Sequence, residues 1–190
     1  MEIASRYYMP MDTTERIRAF IHRLARLDAA ETWTDDLNPA QIAALEYLAR
    51  ANRFSRAPSH VAEYLGTTRG TMSQTLKALE RKGYLRESRS ETDRRSITCH
   101  LTDAGIALAA RRSALADAIA ALPAAQRDSL SDGLSAVLAA RLEANGGRAF
   151  GLCRTCIHHR PAADGAFCAL LRLPLRPEEA TQICHEQVAA

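Results

Sequence analysis

The sequence predicts a mainly α-helical fold of the α+β class, on three observations. Apolar residues recur at helical spacing from residue 12 to 82, the period shortens to two across residues 84–101, and helical spacing resumes in an alanine-rich stretch from 102 to 145. Of 190 residues, 47% are hydrophobic and 25% charged, which suits one compact domain with an appendage and excludes a disordered chain.

Asp12-x-x-Glu15 reads as a capping-box-like start, after which Ile17, Phe20, Ile21, Leu24 and Leu27 share one helical face to about Ala30. Asn38-Pro39-x-Gln41 is a stronger start, with an N-cap side chain, proline at N1 and a reciprocal glutamine; Ile42, Leu45 and Leu48 mark the buried stripe. Pro58 opens a short helix carrying Val61, Ala62 and Leu65, and Gly66 stops it because glycine takes the left-handed conformation freely. Thr67 or Thr68 caps the next helix, whose stripe is Met72, Leu76 and Leu79 up to a stop at Gly83. Residues 84–86 and 96–101 then alternate as two strands around the polar loop "ESRSETDRR". Thr102 caps an alanine-rich helix predicted to run to about Leu122. Pro123 opens another with Leu130, Leu134, Val137, Leu138 and Leu142, ending at Asn145-Gly146-Gly147, a domain boundary.

Two short helices joined by "LGTTRG" and followed by a basic hairpin describe a winged helix-turn-helix. Residues 50–100 hold eleven Lys/Arg against five Asp/Glu, so this segment carries the positive field of a chain whose net charge is +3. A concentrated basic stretch points to a polyanionic partner. Opposite its apolar stripe, the second helix offers Arg69, Thr71, Ser73, Gln74 and Lys77 to a major groove. Gln74 suits bidentate pairing with adenine, worth about 1–3 kcal/mol of discrimination, and the Thr71 methyl suits a thymine methyl. Ser73, Lys77 and Thr68 suit phosphates. In the hairpin, Arg89 adds positive charge, and Asp93 stands beside Arg94 and Arg95, where a carboxylate can orient a guanidinium toward a minor groove. Alone, such a tripeptide also describes a surface ion pair worth about 0–1 kcal/mol; the preceding helix-turn-helix turns it toward DNA.

Residues 61–105, "VAEYLGTTRGTMSQTLKALERKGYLRESRSETDRRSITCHLTDAG", resemble the core signature of MarR-type transcriptional regulators. The shared features are the L-G turn, a recognition helix ending in L-x-x-K-G-Y-L, then D-R-R, then L-T-x-x-G, and the helix order extends the resemblance from about residue 12 to 145. The resemblance implies a homodimer in which the first helix and the last two intertwine while two winged lobes straddle a pseudo-palindromic operator in double-stranded DNA. It assigns recognition contacts to Arg69, Thr71, Ser73, Gln74 and Lys77 and wing contacts to Asp93, Arg94 and Arg95. The residues argue for the same dimer. Residues 103–144 are rich in alanine and leucine, and a single lobe would leave that surface uncovered. The expected organisation is a dimerisation helix at 1–35, the winged lobe at 36–101, dimerisation helices at 102–147 and a tail at 148–190.

That tail holds four of the five cysteines: Cys153-x2-Cys156, then eleven residues to Cys168 and fifteen to Cys184. The first residues lack an apolar run of signal-peptide length and no segment has the uninterrupted apolar length of a span, so a cytoplasmic protein without a membrane partner is expected. Thiols there stay reduced, and clustered ones read as metal ligands rather than disulfides. A tail of this size with few aromatic residues needs a staple, and four soft ligands would supply it, small metal-stapled units folding as they bind. The asymmetric spacing favours an iron-sulfur cluster, 2Fe-2S or 4Fe-4S, over tetrahedral Zn²⁺, whose ligands tend to come as two short knuckles. His158, His159 or His185 could replace one cysteine. Phe167, Leu170, Leu171 and Leu173 are expected to dock the tail on the long helices. Cys99, alternating with Ile97 and Leu101, reads as a buried apolar residue, with a sensing thiol as the alternative. Most regulators of the resembled type lack such a tail.

The function expected is a DNA-binding regulator whose cysteine cluster senses redox state, oxygen or iron. The alternative is a structural zinc clip with a small aromatic or acidic ligand bound between lobe and dimer core. No enzyme is expected: the sequence has no Ser/His/Asp constellation, no paired carboxylates suggesting a cleft and no glycine-rich phosphate loop.

Overall fold

The computed structural model describes residues 12–33, 36–89, 97–162 and 165–190. The chain forms two compact units, one from residues 1–39 and 112–127, the other from 40–111 and 128–190. Among the described residues no helix is long and apolar enough to cross a membrane.

In the first unit, α1 (Thr13–Glu31) starts where the cap chemistry places it, with the Asp12 carboxylate accepting from the Thr14 and Glu15 amides at 2.6 and 3.0 Å. The helix buries none of its side chains, and Ile17, Ile21, Leu24 and Leu27 are exposed along one face. The single long helix expected from 102 to 122 is broken: α5 (Asp103–Ala109) and α6 (Ala114–Ala120) are separate. Cap chemistry explains the break. Ser113 leaves the helical region at ψ 155° and its hydroxyl accepts from the Ala116 amide, while Arg112 pairs with Asp117 at 2.7 Å. A serine at an N-cap outweighs the propensity of the alanines around it. Pro123 opens α7 (Ala124–Ala144), which ends at Gly146, left-handed at φ 62°, with the Gly147 amide returning to the Leu142 carbonyl.

The second unit contains a winged helix-turn-helix. Its helices are α2 (Pro39–Arg50), α3 (Pro58–Tyr64) and α4 (Arg69–Arg81), with a 3₁₀ turn at Arg53–Ser55. Ile42, Leu45, Leu48, Val61, Ala62, Met72, Leu76 and Leu79 form the core. Gly66 and Gly83 take the positive φ that ends α3 and α4. The wing is an antiparallel hairpin of β1 (Leu85–Arg89) and β2 (Ile97–Leu101), in register from Leu85 opposite Leu101 to Arg89 opposite Ile97. Leu85 and Cys99 point into the core, as period two requires. The Cys99 amide also donates to the Arg56 carbonyl, which ties the wing to the approach to α3.

The L-T-x-x-G motif has a steric reason. The Thr102 hydroxyl donates to the Gly83 carbonyl and its amide to the Tyr84 carbonyl, drawing α5 onto the start of the wing. A Cβ on Gly105 would lie 2.1 Å from the Tyr84 carbonyl oxygen. Gly105→Ala is therefore expected to destabilise the lobe by about 1–3 kcal/mol in denaturant melts, because backbone must move to admit the methyl; an unchanged midpoint would mean that the contact relaxes freely.

The tail folds as a 3₁₀ turn at Cys153–Thr155, a three-stranded antiparallel sheet of β3 (His159–Ala162), β4 (Gly165–Cys168) and β5 (Leu173–Leu175) in that order, and a 3₁₀ turn at Pro177–Thr181. Its docking differs from the expectation that Phe167, Leu170, Leu171 and Leu173 seat it on the long helices. Leu170 and Leu173 are 46% and 43% exposed, and Leu171 packs on the cysteine cluster. The tail instead pairs with the connection between α2 and α3. The Ile183 amide donates to the Arg50 carbonyl at 2.8 Å and the Asn52 amide to the Ile183 carbonyl at 2.9 Å. The His185 amide donates to the Ser55 hydroxyl at 2.8 Å, and Arg53 donates to the Pro174 carbonyl and pairs with the buried Glu179. Backbone groups freed at the end of α2 find their partners in the tail, which outweighs an apolar docking of a few leucines.

Candidate functional site

The first candidate surface is the outer face of α4. The Thr68 hydroxyl accepts from the Thr71 amide at 3.1 Å and lies 2.9 Å from the Thr71 hydroxyl, so it caps the helix as well as standing exposed beside it. Arg69, Thr71, Gln74 and Lys77 are exposed on one side and Ser73 is half-buried, while Met72, Leu76 and Leu79 hold the opposite side in the core. Across the wing, the Glu87 amide donates to the Glu80 carboxylate at 2.9 Å, fixing β1 against α4. Arg89 is exposed at the end of β1, and Asp93, Arg94 and Arg95 lie outside the described residues. The arrangement is a rigid polar and basic helix face flanked by a hairpin, which can lie in a major groove while the wing follows the backbone.

The second candidate is the thiol cluster. Cys153, Cys168 and Cys184 share a buried apolar cluster with Leu175, walled by Phe54, Ala166 and Leu171, and Cys156 is buried beside them. All the cysteines are free. Three separate elements bring them together: the 3₁₀ turn carries Cys153 and leads to Cys156, the end of β4 carries Cys168, and the Ile183 pairing with the lobe holds Cys184. Burial first, and then the neighbouring thiols, push Cys153 up to about 11. Burial also raises Cys184, partly offset by hydrogen bonds from Asn52 and the backbone of Glu186. The Val188 amide donates to the Cys156 sulfur at 3.5 Å. Among the described residues no three His, Cys, Asp or Glu groups form a set that could hold a metal ion as they stand. Burial and two glutamates push Cys99 up to about 12, which marks it as a packed thiol of low reactivity.

The three histidines go different ways. His185 is buried and stacks on His60 of α3, ring centroids 3.6 Å apart, with Nε2 at 3.2 Å from Glu63 and Nδ1 at 3.2 Å from Glu186. His159 pairs with Cys168 across β3 and β4, its Nε2 buried without a partner, and the His158 carbonyl accepts from the Ala169 amide. Sequence reasoning missed Asn52, Ser55, His60, Glu63, Arg148 and Phe150. Arg148 pairs with Glu63 and Glu186, and Phe150 packs edge-on against Tyr47, Tyr64 and His185. No motif flags them, since each acquires its role from a partner far away in the chain.

This joint is expected to be acid-sensitive. Burial, then His185, lower His60 to about 4, against an opposing pull from Glu186 and Glu63. Because its folded pKa lies below the unfolded one, the neutral ring contributes stability that is whole above about pH 7 and lost as pH falls through 6.5 toward 4. Thermal melts across that window should lose on the order of 2 kcal/mol more in the native protein than in His60→Phe. Parallel losses in the two would remove His60 as the source.

Residues 35–96 match the model of the MarR family. Among solved structures, the chain is similar to a MarR transcriptional regulator from Methanosarcina mazei Go1, at 22% identity over 68% of this chain and 98% of that one, with a TM-score of 0.56. It is similar to FabT of Streptococcus pneumoniae in complex with DNA, at 22% identity over 72% of this chain and 98% of that one, TM-score 0.53. It is also similar to the S. aureus MepR-DNA complex, at 22% identity over 65% of this chain and 94% of that one, TM-score 0.53. At these identities the likeness is one of fold. No curated protein matches the chain.

Proposed function

We propose that the protein is a dimeric DNA-binding transcriptional regulator of the MarR type, not an enzyme, whose C-terminal thiols carry an iron-sulfur cluster that reports redox state, oxygen or iron supply. The observation that carries the DNA-binding part is the exposed face of α4, with Arg69, Thr71, Gln74 and Lys77 held against a wing by Glu80. The family match over residues 35–96 and the fold shared with FabT and MepR, whose structures contain DNA, support it. Arg69 and Lys77 neutralise phosphate, the two lobes of a dimer read two half-sites, and Gln74 reads a base edge. Gln74→Ala is expected to cost about 1–3 kcal/mol on the operator and almost nothing on unrelated duplexes; an equal loss on both would make Gln74 a backbone contact.

For the tail, the reading rests on the thiols' number, softness and burial: Cys153, Cys156, Cys168 and Cys184 would hold an iron-sulfur cluster only by drawing closer, since as they stand no three described groups form a metal-holding set. Such a cluster supplies one-electron chemistry and a change of charge on its loss. The chain's own residues exclude water with Phe54, Leu171 and Leu175, and the Val188 amide is directed at the Cys156 sulfur. Burial and the neighbouring thiols favour the protonated form of Cys153, a cost that a bound cation would offset.

The test is anaerobic purification followed by a visible spectrum, elemental analysis and operator titration of the same sample. A brown protein with iron and acid-labile sulfide, whose DNA affinity changes when the cluster is removed, is the expected result. One zinc per chain in a colourless protein would make the tail a structural clip and move the search for the signal to a small ligand between lobe and dimer helices. Absence of operator binding at physiological salt would remove the regulator itself. Binding should weaken steeply with salt, log K falling by about 0.9 per neutralised phosphate for each tenfold rise in salt.

A further inference from the structure

We propose that Phe150, aided by Arg148, latches the end of α7 onto α3 and so makes the dimer selective for the spacing of its two half-sites on DNA. The inference rests on the dimeric DNA-binding reading above and names the residues that set part of its specificity.

α7 ends sharply. Gly146 is left-handed at φ 62°, and the Gly147 amide donates to the Leu142 carbonyl at 2.9 Å, so the helix is closed before the chain moves on. Phe150 follows shortly, 8% exposed and itself left-handed at φ 50°, a conformation that a bulky residue rarely adopts and keeps only where its surroundings hold it. What holds it is aromatic. The Phe150 ring meets Tyr64 and His185 edge-on, at 5.3 Å between centroids in both pairs, and Tyr47 at 6.1 Å. Between the helix end and the ring, Arg148 pairs with Glu63 of α3 at 3.7 Å and with Glu186 of the tail at 2.8 Å. Those ion pairs stand half in solvent and contribute little by themselves, so the buried ring is the anchor and the guanidinium directs the chain toward it.

The latch joins two elements that lie far apart along the chain. Glu63 and Tyr64 are the last residues of α3, from which the turn through Leu65 and Gly66 leads to α4 and its exposed polar face. The other covalent path from α3 to α7 runs through α4, the wing, α5 and α6. From Gly147 to Phe150 the chain spans at most about 11 Å, so the end of α7 cannot swing away from α3 while the ring is seated. α7 carries the exposed row of Leu130, Leu134, Val137 and Leu138, which the proposed dimer buries. Holding α7 to α3 therefore holds α4 relative to the dimer axis. The separation of the two recognition helices is set with it, and this separation must match the spacing of the half-sites along the duplex. A lobe without the latch would adapt to operators of several spacings.

The test uses full-length protein and an operator recovered with it from random-sequence duplexes. Beside that operator stand versions lengthened or shortened by one base pair at the centre, and a duplex holding a single half-site. Native protein should lose at least about tenfold in affinity on the altered spacings. Phe150→Gly removes the ring and places at 150 the residue that takes a left-handed backbone freely. It should bind the single half-site within about twofold of the native protein, while its preference for the native spacing falls to about threefold or less. A residue that only supported the fold would weaken half-site binding and leave the ratio between spacings alone. An unchanged ratio in the variant overturns the proposal, as does a parallel loss on every duplex or a native protein indifferent to spacing. Should Phe150→Gly fail to fold, Arg148→Gln decides, because that side chain is 48% exposed and lies outside the core. Its spacing preference should be about threefold weaker than native, and a native preference overturns the proposal. A native protein that binds no duplex brings down the regulator reading and the latch together. One that binds and discriminates, with variants that discriminate equally, brings down the latch alone.

Discussion

Leu134→Asp combined with Leu138→Asp is expected to convert the protein to a monomer and to lower operator affinity by at least about a hundredfold. Both leucines lie on α7, a helix that buries none of its side chains, at 44% and 56% exposure in a row with Leu130 and Val137. A run of large apolar side chains left in water is the surface the proposed dimer would cover, and the row on α1 from Ile17 to Leu27 has the same character. Two carboxylates placed there would have to be desolvated in the interface, where each is costly without a partner. On the proposed dimer, DNA affinity would fall because two linked lobes gain about 10²–10⁴ from the second half-site binding as an intramolecular step. Light scattering at micromolar concentration and operator titration measure both effects, and circular dichroism should remain that of the native protein. A persistent dimer would show that the stripe on α7 is not the interface.

On the proposed metal-stapled tail, Cys153→Ala should release the metal and unfasten the tail. The residue sits in a buried cluster with Cys168 and Cys184, and in the proposed ligand set its loss would leave three thiols in place of four. Small metal-stapled units draw about 10–16 kcal/mol from a structural ion, so the tail has little of its own to fall back on. Elemental analysis should find iron reduced to a small fraction of the native content. Limited proteolysis should open the chain after α7, around Gly146 and Gly147, while the helix-turn-helix core of Leu45, Leu76 and Leu79 stays protected. Full retention of iron would take Cys153 out of the ligand set.

The cluster and the lobe were unequally legible beforehand. Asp12, Thr68, Pro58, Gly66 and Gly83 mark helix ends by chemistry that acts within a turn, and the structure places α1, α3 and α4 accordingly. The change of period at residue 84 announces the hairpin for the same reason, since side-chain alternation is a property of the strand itself. The long alanine-rich helix was overextended because most of its residues favour helix, while the cap that Ser113 forms counts for more than its neighbours' small preferences. Cysteine spacing pointed to a shared metal site; the structure buries Cys153, Cys168 and Cys184 in one apolar cluster, and among the described residues no three ligand groups form a metal-holding set. Spacing could not tell what the site leans on. His185 meets Ser55 across 130 residues and Glu63 across 122.

What the sequence by itself determined is therefore the winged helix-turn-helix, the exposed polar and basic face of α4 and the collection of four thiols in one tail, because caps, glycine turns and periodicity are local and their free energies belong to neighbouring residues. Only the tertiary structure decided that this tail docks on the α2–α3 connection through Ile183, Asn52 and Ser55, and that His60 and His185 stack at the joint. Those contacts satisfy buried backbone and amide groups whose partners are found only after the chain has folded, and no pattern along the sequence encodes which distant carbonyl, hydroxyl or sulfur will be within reach.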